Sequence, residues 1–524
     1  MDFDPRICAQ ARLSRDARFD GRFFIGVLST RIYCRPICPV RTVKEENVRY
    51  FPTAAAAAER GFRPCLRCRP ESSPGTPAWL GTSTTVSRAL RFISESALED
   101  EGVEALATRL GIGSRQLRRL FLKHLGASPI TVAKTRRLHF AKKLIDETNL
   151  PMGQIALAAG FGSVRRFNSA FRKTYKRTPS EIRRLAHFES VESARAESAY
   201  LLRLDFRPPF HWDALLAFLA RRAIPGVEAV ESGCYCRTIS LKDNSGSLAV
   251  SLDKSGSALA VRISFPEPRW LFLIVERLRR MFDLSADPRE ISARLAADPL
   301  LAKRVEAMPG LRVPGCWDGF ELAVRAILGQ QVSVKGATTL AARLVQTFGT
   351  PIVTAPPLTH LFPSPEVLAE ADVARIGLPR KRAGTIRALA RAVSEGRIAF
   401  NSVDNIEEFQ LRLRQIPGIG DWTLQYIAMR ALGDPDALPA SDLGLLRDAS
   451  FRHERELAQR AEAWRPWRAY AAMHFWQGTE EGELKEKSSR DRTPTLVRTA
   501  LSPVERVSPV ASGSVEKVAR ASRP

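Results

Sequence analysis

Residues 416–432 read IPGIGDWTLQYIAMRAL. Gly418 and Gly420 sit either side of one isoleucine, where one stretch of helical period ends and another begins, so the segment predicts a tight hairpin between two helices. The first of those helices opens at Asp404 with Glu407 three residues on, the spacing of a capping box. At the start of the second, backbone amides lack an intrahelical acceptor and are free to hold a phosphate. By itself such a hairpin is a nonspecific clamp on a nucleic-acid backbone. Asp442 follows Gly420 by 22 residues, in ALPASDLGLLRD, and WRPWRAYAAMHFW comes next at residues 464–476.

The whole chain has 524 residues, which at ~100–200 residues per domain leaves room for several separate cores. Hydrophobic residues are 44% and charged residues 26%. No apolar run approaches the ~20 residues that span a bilayer, so a globular protein is expected and a membrane-spanning one excluded. The opening MDFDPRICAQARLSRD has no apolar region of the secretory kind, and the expected location is the cytoplasm. Net charge is +24, from 80 Lys and Arg against 56 Asp and Glu, and it is unevenly spread. Residues 1–190 hold 34 basic and 17 acidic side chains, or +17, whereas the rest hold 46 and 39, or +7. These basic residues lie in helical patterns with buried faces, not in one amphipathic stripe, so nucleic acid is the expected partner and a membrane surface is not.

Periodicity divides the chain into a multidomain α+β protein. A cysteine-rich domain occupies 1–72, a Ser/Pro/Gly/Thr-rich linker 73–86, and an all-helical repeat 87–188. A small antiparallel α+β domain spans 197–285: Tyr200, Leu202, Leu204 and Phe206 alternate, and TISLKD, SLAVSLD and ALAVRIS are separated by the turns DNSG and KSGS. The helix FHWDALLAFLARRA packs on that sheet. Residues 286–478 return to helical spacing, and the Ser/Pro/Glu/Arg-rich tail, 479–524, is expected to be disordered.

Cys34, Cys38, Cys65 and Cys68 form the pattern C-x3-C-x26-C-x2-C, two short chelating loops of the kind a tetrahedral Zn2+ site needs. Spacing alone allows a purely structural zinc. Cys8, Cys234, Cys236 and Cys316 lack such spacing and read as ordinary small residues. RFDGRFFIGVLSTRIYCRPICPVRTVKEENVRYFP followed by GFRPCLRCRP resembles the N-terminal zinc domain of the Ada family along most of residues 10–70. The resemblance implies that Cys34, the first cysteine of the first pair, accepts a methyl group from a DNA methylphosphotriester. A zinc-bound thiol is deprotonated and nucleophilic, and a methylated phosphate is neutral, so the two approach without repulsion. Conversion of one thiolate to a thioether removes a negative charge and should tighten binding to phosphates. The Ada family's Pro-Cys-His-Arg methyltransferase site is absent from this sequence.

Two similar units, VEALATRLGIGSRQLRRLFLKHLGASP and MGQIALAAGFGSVRRFNSAFRKTYKRTP, each run from a small apolar helix through a glycine-containing turn into a basic helix. This is the pattern of a helix-turn-helix, and a generic basic bundle is the alternative. IALAAGFGSVRRFNSAFRKTYKRTPSEIRR resembles the AraC family, which pairs two such motifs through a connecting helix. The resemblance implies Arg115, Arg118, Arg165, Arg166 and Asn168 as base or phosphate contacts.

Hairpin, aspartate and WRPWRAYAAMHFW, with FELAVRAILGQQVSVKGA and the small sheet before them, resemble the AlkA branch of the helix-hairpin-helix DNA glycosylases over residues 197–478. The resemblance implies a 3-methyladenine glycosylase with Asp442 catalytic: glycosidic cleavage builds positive charge on the sugar, which a desolvated carboxylate stabilises. Strand-cutting relatives carry a lysine where Trp422 stands, so no Schiff base is expected and an abasic site is left. Trp422, Tyr426 and Trp476 match the family's pocket aromatics, suited to stacking on a cationic purine, with core packing as the alternative for each. Gln331 stands where the family has a leucine wedge. Gly418 and Gly420 hold DNA, and a monovalent cation at the hairpin is part of the expectation. The whole reads as a monomeric methyl-acceptor, transcription regulator and repair glycosylase in one chain, acting on alkylated and promoter DNA and calling on RNA polymerase when activated. The alternative is a regulator whose glycosylase half is only a DNA clamp.

Overall fold

The computed structural model describes residues 4–74, 84–95, 98–187, 199–400, 403 and 406–477. The expected linker lies mostly outside the described residues, and the expected tail and the capping residue Asp404 lie wholly outside them.

The cysteine-rich segment begins with helix Pro5–Leu13, capped by Asp4, whose Oδ1 accepts from Arg6 N. A four-stranded sheet follows in the order Val48–Phe51, Phe24–Val27, Ile32–Cys34, Arg63–Pro64. The last pair is parallel, with Tyr33 opposite Pro64. That register sets the two cysteine pairs side by side, because one pair begins at the end of Ile32–Cys34 and the other directly follows Arg63–Pro64.

In the helical repeat the two basic helices are Ser114–Leu125 and Val164–Tyr175. They bury equivalent positions at the i, i+4, i+8 spacing, Leu117, Phe121 and Leu125 in one and Phe167, Phe171 and Tyr175 in the other. Each ends on a left-handed residue, Gly126 and Lys176. The connecting helix Pro129–Glu147 is capped by Ser128 and buries residues on most of its circumference.

The second sheet has five antiparallel strands in the order Tyr200–Asp205, Ala258–Ser264, Asn244–Leu252, Cys234–Leu241, Glu228–Glu231. Helix Trp212–Arg222 contacts it as expected. One expectation needs correction. The turn placed at DNSG falls at Lys242 and Asp243, with Lys242 left-handed at φ 51° and Leu241 paired with Asn244. Gly246 lies within a strand instead, because a Cβ there would sit 2.1 Å from Ser264 O of the neighbouring strand. The edge strand Glu228–Glu231 had no sequence reading: it is short, and its two glutamates break apolar alternation.

Helices Gly319–Leu328, Val334–Phe348, Arg380–Ser394, Ile406–Arg414 and Asp421–Ile427 build the last domain around Val324, Ile327, Leu344, Ile386, Leu389, Leu413 and Ile427. Burial of side chains of this size stabilises by ~1.5–3 kcal/mol each. A two-residue strand pair, Thr350–Pro351 with His360–Leu361, interrupts the all-helical pattern expected there. A second continuous core runs from Leu138 in the helical repeat through the sheet to Trp476. Polar contacts also cross between domains. Buried Arg207 donates from Nε to Asp20 O at 2.9 Å and from Nη1 to Ser285 O at 2.7 Å, and Arg22 pairs with Asp287 at 2.9 Å. No helix among the described residues is long and apolar enough to cross a membrane.

Candidate active site and metal centre

Trp422, Tyr426 and Arg430 lie at i, i+4 and i+8 along Asp421–Ile427 and the π-helical turn Ala428–Leu432 that continues it. The spacing puts them on one face. Trp422 and Tyr426 stack with centroids 5.2 Å apart and planes 13° from parallel, and Trp476 tilts against Tyr426 at 6.2 Å. Asp442 caps the next helix, Leu443–Asp448, its Oδ1 accepting from Leu445 N at 3.0 Å. Two indoles complete its shell: Trp422 Nε1 donates to Oδ2 at 2.8 Å, and Trp476 Nε1 donates to Oδ1 at 3.0 Å. The half-buried carboxylate is thus fixed by three N–H groups beside a wall of aromatic rings. Arg430, which sequence reasoning missed, donates from Nη1 to the Tyr426 hydroxyl at 2.7 Å and from Nε to Pro314 O at 2.8 Å. Burial alone would raise the Tyr426 phenol, but the positive charges of Arg430 and Arg222 outweigh it and hold the phenol below its ordinary value.

At the hairpin, Gly418 has φ 92°, and a Cβ on it would lie 2.3 Å from Thr385 Oγ1. Thr385 Oγ1 donates to Pro417 O at 2.7 Å. Gly420 is the N-cap of the second helix, and no side chain caps it. Gln330 Nε2 donates to Gly418 O at 2.9 Å and to Thr423 Oγ1 at 3.0 Å, tying the turn after Gly319–Leu328 to the hairpin. Gln331, the expected wedge, is the next residue, exposed and left-handed at φ 57°. With the carbonyls of Pro417 and Gly418 already accepting side-chain donors, the monovalent cation expected here finds no support.

The Sγ atoms of Cys34, Cys38, Cys65 and Cys68 all lie within 4.8 Å of one another. Among the described residues this is the only grouping of three or more His, Cys, Asp or Glu side chains placed to hold a metal ion. A tetrahedral site with Zn–S of ~2.3 Å needs sulfurs ~3.8 Å apart, so the cluster fits a Zn2+ ion. Hydrogen bonds from Cys34 and Cys38 push the Cys65 thiol far down, while the reciprocal bonds from Cys34, Cys38 and Cys65 push Cys68 up. Binding of a divalent cation displaces thiol protons, so these four cysteines would hold it as thiolates. Cys34, Cys65 and Cys68 are buried and Cys38 is half-buried. Elsewhere, Cys234 and Cys236, read as unrelated small residues, bring their sulfurs within 3.7 Å on one face of a strand. Period-two spacing could have signalled that contact.

On the two basic helices Arg115, Arg118, Arg165 and Arg166 are exposed and Asn168 is half-buried.

Four family models match successive stretches: the metal binding domain of Ada over residues 7–71, a helix-turn-helix domain over 106–185, the AlkA N-terminal domain over 201–318, and the HhH-GPD superfamily of base excision DNA repair proteins over 324–457. A Mycobacterium tuberculosis protein named probable bifunctional transcriptional activator/DNA repair enzyme AlkA is 42% identical over 485 residues, spanning 92% of this chain and 97% of that one. The chain belongs to this family. Its C-terminal half is also similar to Escherichia coli DNA-3-methyladenine glycosylase 2, 34% identical over 52% of this chain and 95% of the relative. Among solved structures, a 3-methyladenine DNA glycosylase from Archaeoglobus fulgidus superposes with a TM-score of 0.48 at 23% identity, over 53% of this chain and 98% of that one. The family membership and the four matched models make the chain a multidomain DNA repair protein with a zinc site, a helix-turn-helix regulator module and a helix-hairpin-helix glycosylase module.

Proposed function

We propose that the chain excises alkylated purines with Asp442, leaving an abasic site, and that it records phosphate methylation of the same DNA on Cys34. The observation that carries the first half is the seating of Asp442: two pocket indoles donate to its oxygens at 2.8 and 3.0 Å, so the stacking surface for the base and the carboxylate for the sugar form one assembly. As the N-glycosidic bond breaks, the base leaves with the bonding electrons and the positive charge on the sugar is met by a carboxylate already oriented; water then adds to the cation and gives up a proton to the Asp442 carboxylate. Trp422 offers no amine, so hydrolysis proceeds without a covalent DNA intermediate. Exposed arginines on the two basic helices suit phosphate or base contacts, and the hairpin amides beside Gly420 suit the backbone near the lesion.

For the second half, Zn2+ held by the four cysteines supplies thiolate character at neutral pH. The Cys34 sulfur attacks the methyl carbon of a methylphosphotriester; an S–C bond forms, the C–O bond breaks, and the phosphodiester departs as an anion. The backbone amide of Arg35 donates to Cys68 Sγ at 3.3 Å. Such a bond withdraws charge from the Cys68 sulfur, and the choice of Cys34 rests on its place as the first of the four clustered cysteines in the stretch matched by the metal binding domain of Ada. One observation favours a second reading, acceptance on Cys38, which is the more exposed sulfur.

Asp442→Asn keeps the side-chain volume and removes the charge, so base release from methylated DNA should fall on the order of 10²-fold or more while nonspecific DNA binding persists. Undiminished release of 3-methyladenine, or borohydride-trappable adducts with the wild type, would refute the mechanism. Peptide mapping after incubation with methylated DNA is expected to find one added methyl group on Cys34; its presence on Cys38 alone would transfer the role.

A further inference from the structure

Helix Arg380–Ser394 packs beneath the hairpin through Thr385 and buries Ala383, Ile386, Leu389 and Ala390. Its opposite face carries Arg380, Gly384, Arg387 and Arg391, all exposed, at the spacing of one helical stripe. Between this stripe and the hairpin runs a groove of about 440 Å3, lined by Gly384, Arg387 and Arg391 with Arg397, Gln415 and Pro417. Among the described residues no acidic side chain lines it. Arg391 pairs with Glu370 at 3.5 Å and Arg397 with Glu395 at 2.5 Å, both pairs well exposed, and exposed pairs are weak enough to give way to a phosphate.

Gly384 is the second observation. A glycine inside a helix destabilises it, and neighbours usually explain one by leaving no room for a Cβ. Here a Cβ would meet nothing within 4 Å. No contact among the described residues requires the glycine, whereas an incoming backbone would.

We propose that this groove is a second track for the DNA backbone, next to the hairpin, in which Arg387 and Arg391 contact phosphates and Gly384 lets the sugar-phosphate chain approach the helix. The proposal rests on the hairpin being a DNA clamp and extends its footprint. Phosphate contacts of this kind are sequence-independent and release counterions, so they are read in the salt dependence of binding.

The test uses the full chain, a short duplex holding one stable abasic-site analogue, and a NaCl series. Arg387→Ala/Arg391→Ala should bind several-fold more weakly and give a log–log salt slope shallower by about two. Gly384→Leu should melt at a higher temperature than wild type, since it removes a helix glycine, and still bind more weakly. The helix-turn-helix elements contribute equally in every variant. Unchanged affinity and slope in the double variant would overturn the proposal, and so would normal binding by Gly384→Leu, which would mean that the arginines act without a groove. Wild-type base release, run alongside, separates the two readings: its absence would remove the glycosylase activity, while the slope comparison would still judge the groove.

Discussion

Two of the three N–H donors to Asp442 come from segments far apart in sequence, Trp422 lying 20 residues before it and Trp476 34 residues after it, while the third, Leu445 N, belongs to the helix it caps. Each indole anchors the carboxylate, and under the proposed function each would also be a wall of the base pocket. Phenylalanine separates them, because Trp422→Phe or Trp476→Phe keeps a ring and deletes the donor. A hydrogen bond to a charged group contributes ~1.5–3 kcal/mol, so either change should lower kcat by roughly ten- to a hundredfold with a smaller effect on KM. Single-turnover excision measures this. An unchanged kcat with a raised KM would reduce the indoles to stacking surfaces.

The hairpin shows how much an element's sequence announces. Its two glycines were legible because both punctuate a helical pattern, yet they serve different ends. Gly418 answers an internal demand, with φ 92° and Thr385 against it, so Gly418→Ala should lower Tm and DNA affinity together. Gly420 has an ordinary negative φ and no neighbour within reach of a Cβ, so Gly420→Ala should leave Tm within about 1 °C and weaken DNA binding, as thermal melting and a binding titration on the same samples would show. A drop in Tm for Gly420→Ala would contradict the outward-facing role. Asp442, the aromatics and the cysteine ligands were legible for the same reason as the glycines: unusual residues at fixed spacing. What stayed hidden depends on contacts between segments. Nothing local distinguishes Gln330, which ties down the hairpin, from the exposed Gln331 beside it. Gly246 resembles a turn residue until the neighbouring strand is seen pressing on it. The arginine stripe on Arg380–Ser394 reads as a solvated helix face until the hairpin is placed next to it.

Across the whole molecule, the zinc domain is joined to the helical repeat and to the sheet by buried polar contacts. Arg35, between the first two metal ligands, pairs with Asp20 and reaches Asp205 of the sheet at 3.6 Å, and Tyr33 Oη shares a hydrogen bond of 2.7 Å with His139 Nε2 on the connecting helix. Burial pushes His139 down to about 4, with Glu71 opposing and Lys142 adding, and burial likewise pushes His474 down to about 4. Both folded values lie below the unfolded one, so the unfolded chain takes up protons the folded chain refuses, and stability falls as pH drops from about 6.5 to about 4. Asp283, raised to about 6 by burial, offsets part of this loss because it binds its proton first in the folded state. Thermal melts should therefore show Tm declining below about pH 6.5, with His139→Gln flattening the decline. An identical pH profile for His139→Gln would place the acid sensitivity elsewhere. The proposed function joins repair of alkylated bases and the registering of phosphate methylation in one chain. Its most direct test is one incubation of the full-length, zinc-loaded protein with methylated DNA, followed by mass analysis of both the released bases and the protein's peptides. Free 3-methyladenine together with a single methyl on the Cys34 peptide is the predicted result; methylated protein with no released base would leave only a regulator and contradict the account.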